Sequence, residues 1–131
     1  LVRNLNRTIK RRDIVYFLGD LAFGRGSRNT DYWYRRLNGR KIFIKGNHDR
    51  SKQIKFYQRY IFTYKQRKFL LVHTPSDIPK TWEGWVIHGH VHNKYKKDCP
   101  LINKNTKRIN VSVEMTRYRP IRLEKIIKLI K

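Results

Sequence analysis

Apolar runs of strand length recur along the chain, and glycine and polar residues follow several of them. Residues 14–18, 41–45, 69–72 and 85–87 have the continuous apolar character of strands buried on both faces. The period-two alternation over residues 108–113 predicts one more strand. We also expect residues 60–64 to be extended.

Other segments carry the spacing of helices. Leu1, Leu5 and Ile9 stand four apart within residues 1–12. A second helix is predicted from Thr30 to the Asn38-Gly39 stop, and a third over residues 50–59. After Pro120, a closing helix places four apolar residues on one face: Leu123, Ile126, Ile127 and Ile130. Strands interspersed with helices predict an α/β fold, and 131 residues fit a single domain over residues 1–131.

Four of the predicted buried strands are followed by side chains able to bind a metal ion. These side chains are Asp20, Asn47, His73 and His90. In layered α/β folds, ligand sites gather at the carboxyl ends of the strands. We therefore expect the four side chains to meet at one edge of the fold.

The segment from Trp85 to His92 contains three histidines at alternate positions: His88, His90 and His92. Residues two apart in an extended chain project to the same side, roughly 6.6 Å apart. Such histidines can chelate one metal ion or hold one ion each of a closely spaced pair. Their spacing alone leaves both arrangements open.

The charge of the chain is strongly unbalanced. It has 32 lysines and arginines against nine aspartates and glutamates, a formal net charge of +23. Such a field attracts polyanions, which favours a phosphorylated substrate and makes nucleic acid a candidate partner. Basic residues are spread along the whole sequence, and stacking motifs typical of single-strand binders are absent from it.

The remaining composition narrows the cellular setting. Cys99 is the single cysteine, so no intramolecular disulfide can form, and a cytoplasmic protein is the default expectation. No apolar run approaches the roughly 18 residues of a membrane helix. We expect no membrane partner, and the sequence leaves the oligomeric state open.

The motifs occur in the order Gly19-Asp20, Gly46-Asn47-His48-Asp49, His73 and Gly89-His90-Val91-His92. In this order they resemble the calcineurin-like metallophosphoesterase superfamily, in particular its small bacterial, archaeal and phage members. The resemblance covers nearly the whole chain. It implies an α/β/β/α sandwich, in which two mixed sheets face each other between helices.

The resemblance also implies roles for individual residues. Asp20 would bridge two metal ions, Asn47, His73 and His90 would complete the shell of one ion, and His92 would bind the other. His48 would be the catalytic residue that faces the scissile phosphate, while a hydroxide held by the metal ions attacks phosphorus. The donor set suits Mn²⁺, with iron, zinc or nickel as alternatives. His88 matches no ligand position, and we expect it to support either the scaffold or one of the metal ligands.

Two features depart from the family pattern. The Asp-x-His motif that should come first is missing, and Asp13 stands at the wrong end of its strand to replace it. We expect the first strand and helix of the fold to be missing, with one metal site complete, the second weak, and catalysis impaired. Phe23 stands where the protein-phosphatase branch has an aspartate, which favours the phosphodiesterase-like members.

The leading functional prediction is a metal-dependent phosphoesterase, a phosphodiesterase or phosphatase. Its substrate would be a nucleotide, a nucleic acid or another phosphorylated anion. The alternative is a catalytically degraded, strongly basic relative that binds nucleic acid.

Overall fold

The computed structural model describes residues 2–19, 30–46, 51–89, 102–111 and 120–130. Their helices are α1 (Val2–Thr8), α2 (Thr30–Arg36) and α3 (Leu123–Ile130), with a 3-10 turn at Pro75–Asp77. Their strands are β1 (Ile14–Phe17), β2 (Arg40–Ile44), β3 (Phe56–Tyr57), β4 (Tyr60–Tyr64), β5 (Arg67–Val72), β6 (Trp85–His88), β7 (Ile102–Asn103) and β8 (Arg108–Asn110).

The first sheet has the strand order β1-β2-β3, and its described pairs are parallel. Ile14 pairs with Arg40 at one end of the β1–β2 register and Phe17 with Phe43 at the other. Because these strands are parallel, their carboxyl ends lie at the same edge of the sheet.

The second sheet is mixed and has the strand order β4-β5-β6-β8-β7. Strands β5, β6 and β8 run parallel to one another, whereas β4 and β7 are antiparallel to their neighbours at the two margins. A two-residue turn, Lys65-Gln66, joins β4 to β5.

Apolar side chains from both sheets form one core. Ile44 of the first sheet belongs to the same buried cluster as Leu71, Ile87 and Ile109 of the second. Tyr16 stacks on Phe62 across the two sheets, with ring centroids 4.5 Å apart. Helix α3 contributes three buried isoleucines to this cluster: Ile126, Ile127 and Ile130.

Different apolar clusters cover the outer faces of the two sheets. Phe43 on the outer face of the first sheet lies in a cluster with Leu5 of α1, Ile9 just after α1, and Leu37 just after α2. On the second sheet, Ile78 and Trp82 pack against an outer cluster formed by Leu70, Val72 and Val86. Each sheet therefore has apolar contacts on both faces.

The predicted α/β fold with two packed sheets is confirmed. The predicted helix over residues 50–59 is wrong, because residues 51–55 are irregular and Phe56–Tyr57 forms β3. The Ser51 hydroxyl accepts hydrogen bonds from the amides of Gln53 and Ile54, as at a helix start. The chain then pairs with β2, where Phe56 packs against the outer cluster, so tertiary pairing overrides the local helical signal.

Ile102–Asn103 forms β7, a short strand that the apolar pattern of the sequence does not predict, and pairs with β8. The side-chain oxygen of Asn103 accepts hydrogen bonds from the amides of Asn105 and Thr106, which builds the turn between these strands.

Candidate metal centre

His73 is the one predicted metal ligand that lies within the described residues. Outside them lie the other ligands and the catalytic histidine: Asp20, Asn47, His48, His90 and His92. The structure does describe the glycines that directly precede three of these ligands, namely Gly19, Gly46 and Gly89. The positions of these glycines and of His73 define the candidate site.

His73 follows β5 and is almost completely buried, with 2% of its surface exposed. Its Nδ1 lies 2.6 Å from the carbonyl oxygen of Leu18. A carbonyl oxygen can only accept, so Nδ1 must carry the proton in this hydrogen bond. In the neutral ring the lone pair then resides on Nε2, which is the tautomer that a metal-binding histidine needs.

Gly19 lies against both the His73 ring and Gly46. A Cβ atom built on Gly19 would stand 2.6 Å from His73 Nδ1 and 2.7 Å from Gly46 Cα. Gly19 also has a positive φ of 99°, which side chains other than hydrogen rarely tolerate. Glycine at this position therefore lets the end of the β1 segment approach the end of the β2 segment and His73.

Gly89 ties the end of β6 to the same place. Its amide donates a hydrogen bond to the carbonyl oxygen of His73, with an N–O distance of 3.0 Å. The Cβ position of Gly89 lies 3.6 Å from the Cβ and the carbonyl oxygen of Leu18. Gly89 therefore lies beside both Leu18, which follows β1, and His73, which follows β5.

Four chain segments thus meet at one edge between the sheets, at Gly19, Gly46, His73 and Gly89. The expected convergence of strand ends is present in the described backbone. Asp20, Asn47 and His90 are the next residues along three of these segments.

His88, for which no ligand role was predicted, is 1% exposed and pairs in the sheet with Val72 and Asn110. Its Nδ1 lies 3.0 Å from the Gly89 carbonyl oxygen. Burial, reinforced by the positive charge of Arg108, lowers the pKa of His88, although the hydrogen bond to Gly89 acts in the opposite direction. Within the sheet, His88 therefore favours the neutral form.

Within the described part of the chain, no three histidine, cysteine or acidic side chains are grouped to hold a metal ion. The described residues alone therefore do not form a complete donor set. The donor chemistry nevertheless fits a metal. His73 presents a buried imidazole with a fixed tautomer, and the motif residues joined to the three glycines supply a carboxylate, an amide and an imidazole.

The sequence does not indicate that Leu18 orients His73. The contact uses the backbone carbonyl of Leu18, and every residue carries a carbonyl group.

No helix among the residues with described positions is long and apolar enough to cross a membrane.

Two packed sheets, with a histidine and three glycine-led segments gathered at their strand ends, define an α/β protein with a candidate metal centre at one edge. The chain belongs to the calcineurin-like phosphoesterase family, whose model matches residues 1–129. This is a family of metal-dependent phosphoester hydrolases that generally use divalent metal ions.

Two relatives agree with this assignment. An uncharacterized protein of Methanocaldococcus jannaschii is 40% identical over 134 residues, an alignment that covers 100% of this chain and 73% of the relative. The crystal structure of a protein of unknown function from Aquifex aeolicus is similar, with a TM-score of 0.70 and 29% identity. That match covers 98% of this chain and 82% of the other.

Proposed function

We propose that this protein is a metal-dependent phosphodiesterase whose substrate is a nucleotide, a nucleic acid or a related phosphate ester. The observation that carries the proposal is the meeting of Gly19, Gly46, His73 and Gly89 at one edge, with the His73 tautomer fixed by Leu18. Family membership supports the same chemistry.

The motif residues divide between two functions. Asp20, Asn47, His73 and His90 would hold one divalent ion, for which Mn²⁺ is the first candidate, and His92 with Asp20 would hold a second. When bound, such ions lower the pKa of a water molecule and neutralise charge on a phosphate. Nitrogen and oxygen donors without a thiolate suit this group of metals.

His48 would supply the proton that the reaction requires. Water adds to phosphorus and gives up one proton to solvent, the P–O bond to the leaving group breaks, and the leaving oxygen takes the proton from His48, which regains a proton from solvent. The products are a phosphomonoester and an alcohol. General acid catalysis of this kind contributes about a hundredfold to ten-thousandfold in rate.

Hydrolysis of a bis-aryl phosphodiester with Mn²⁺ or with EDTA tests the proposal. We expect Asp20→Asn to lower both bound metal and turnover, and His48→Ala to lower kcat at least about a hundredfold while metal content is retained. Asp13→Asn is the matched control for Asp20→Asn. Asp13 lies before β1, at the opposite end of the sheet, and the amide side chain can still accept the hydrogen bond from the Lys10 amide.

A metal-loaded protein without metal-dependent turnover of phosphodiesters, whether aryl diesters, cyclic or dinucleotides, or oligonucleotides, would overturn the proposal. The net charge of +23 supports the alternative, a nucleic-acid-binding relative without catalysis. Oligonucleotide binding that is indifferent to EDTA and to Asp20→Asn, in a protein that hydrolyses nothing, would favour that alternative.

A further inference from the structure

Arg59 lies in the short connection that passes from the first sheet to the second. At the end of β3, the carbonyl oxygen of Tyr57 accepts a hydrogen bond from the Lys45 amide at 3.0 Å. Strand β4 then begins with Tyr60, which pairs with Leu71, two residues before His73. The connection therefore runs beside the segments that lead to Asn47 and to His73.

The Arg59 guanidinium is anchored to the segment that follows His73. Its Nε donates a hydrogen bond to the carbonyl oxygen of Asp77 at 3.1 Å, and Asp77 ends the 3-10 turn that follows His73. The acceptor is a backbone carbonyl, so this contact leaves the positive charge of Arg59 unneutralised. It uses one of the five N–H donors of a guanidinium.

Two further exposed cations lie beside β3, one on each of its faces. Exposed Lys45 directly precedes Gly46, and its Nζ lies 6.0 Å from the centre of the Phe56 ring. Exposed Lys55 places its Nζ 5.1 Å from the centre of the Tyr57 ring. Phe56 packs in the outer cluster and Tyr57 against the core between the sheets, so Lys45 and Lys55 lie on opposite sides of the edge strand β3. We name Lys45, Lys55 and Arg59 together the β3 margin.

We propose that Arg59 binds a non-scissile phosphate of the substrate, and that the substrate is a single strand of nucleic acid lying along the β3 margin. The proposal rests on the phosphodiesterase function proposed above. A planar guanidinium fork suits phosphate oxygens, and a nucleic acid strand offers a phosphate at every nucleotide to successive cations. A bis-aryl phosphodiester carries only its scissile phosphate, so it has no second phosphate to offer Arg59.

The test compares Arg59→Met and Arg59→Lys with Arg35→Met. Arg35 is an exposed arginine near the end of α2, five residues before β2 begins at Arg40. Its removal therefore takes the same charge from the opposite end of the sheet. Kinetics are measured on an oligothymidylate and on a bis-aryl phosphodiester. Binding of the labelled oligothymidylate is measured in EDTA at several salt concentrations.

We expect Arg59→Met to lower kcat/KM for the oligonucleotide about tenfold or more, mainly through KM, because a charge-assisted hydrogen bond is lost. Turnover of the aryl diester should stay within twofold. The slope of log affinity against log salt should become shallower by about 0.7, the value for one phosphate contact on a single strand. Arg59→Lys should restore the slope but only part of kcat/KM, and Arg35→Met should leave both unchanged.

Three outcomes would overturn the inference. Arg59→Met could match Arg35→Met on the oligonucleotide, or it could weaken both substrates equally with a lower Tm, which would make Arg59 a structural clamp on Asp77. An unchanged salt slope would also contradict it. The binding experiment needs no hydrolysis, so a protein without turnover refutes the proposed function while the salt slope still decides the role of Arg59.

Discussion

The Nδ1 atom of His73 and the carbonyl oxygen of Leu18 form a 2.6 Å hydrogen bond between residues 55 positions apart in the sequence. This bond joins the end of β5 in one sheet to the end of β1 in the other. It fixes the ring of His73 and its tautomer at the edge where the motif segments converge.

Replacement of His73 should therefore remove a metal ligand while the strand pairing survives. Loss of a group that only supports a metal ligand weakens metal binding about 10- to 100-fold. Because His73→Ala removes the ligand itself, we expect Mn²⁺ binding to weaken about a hundredfold or more. Titration calorimetry and metal content measure the effect. Thr74→Ala is the control, since the Thr74 side chain makes no capping hydrogen bond with the 3-10 turn. Equal affinities in the two variants would exclude His73 as a ligand.

Gly19 and Gly39 offer a matched pair for separating stability from metal binding. Their φ angles are 99° and 94°, and a Cβ would meet neighbouring atoms at 2.6 Å and 2.8 Å respectively. Both Gly19→Ala and Gly39→Ala should lower the free energy of unfolding by about 2 kcal/mol or more, from backbone strain and the clash together.

Only Gly19→Ala should also lower metal affinity, because its Cβ presses on His73 and Gly46, whereas that of Gly39 meets Val15 and Asp13. Denaturant unfolding and metal titration below the transition temperature check this. Equal metal affinities in the two folded variants would contradict the role assigned to Gly19.

The Lys65-Gln66 turn should be open to stabilisation. Both residues have positive φ angles, 49° and 67°, in a two-residue hairpin. This is the geometry of a type I′ turn, which favours Asn-Gly. We expect the double substitution Lys65→Asn and Gln66→Gly to raise the free energy of unfolding by about 1 kcal/mol. Lys65→Ala, which supplies no turn-forming residue, should give no increase in the same denaturant titration.

The stack of Tyr16 on Phe62 should contribute a measurable coupling between the sheets. With centroids 4.5 Å apart, we expect a double-mutant cycle on alanine variants to give about 0.5–1.5 kcal/mol. Phe17 and Phe62 form the control cycle, because Phe17 belongs to the cluster on the other face of the first sheet. A coupling that does not exceed the control value would mean that the stack adds nothing beyond burial.

The local pattern of the sequence was sufficient for the elements with strong periodicity or continuous apolar character. The strands around Phe43 and Leu71 and the closing helix with Ile126 and Ile127 lie where the pattern placed them. The order of the motifs also indicated the family. In each case the information is carried by neighbouring residues, so it needs no knowledge of the fold.

Tertiary structure decided what local pattern could not. Residues 51–57 carry a helix-start signal at Ser51, yet Phe56 and Tyr57 join β2 because pairing and burial there outweigh weak local propensity. The hydrogen bond from His73 to Leu18 uses a backbone carbonyl, which every residue has, so the sequence does not indicate it. The need for glycine at position 19 is evident only in the fold, where Gly46 and the His73 ring lie against it. The sequence by itself determined which residues could bind a metal, and packing of the two sheets decided how the described segments that carry them meet.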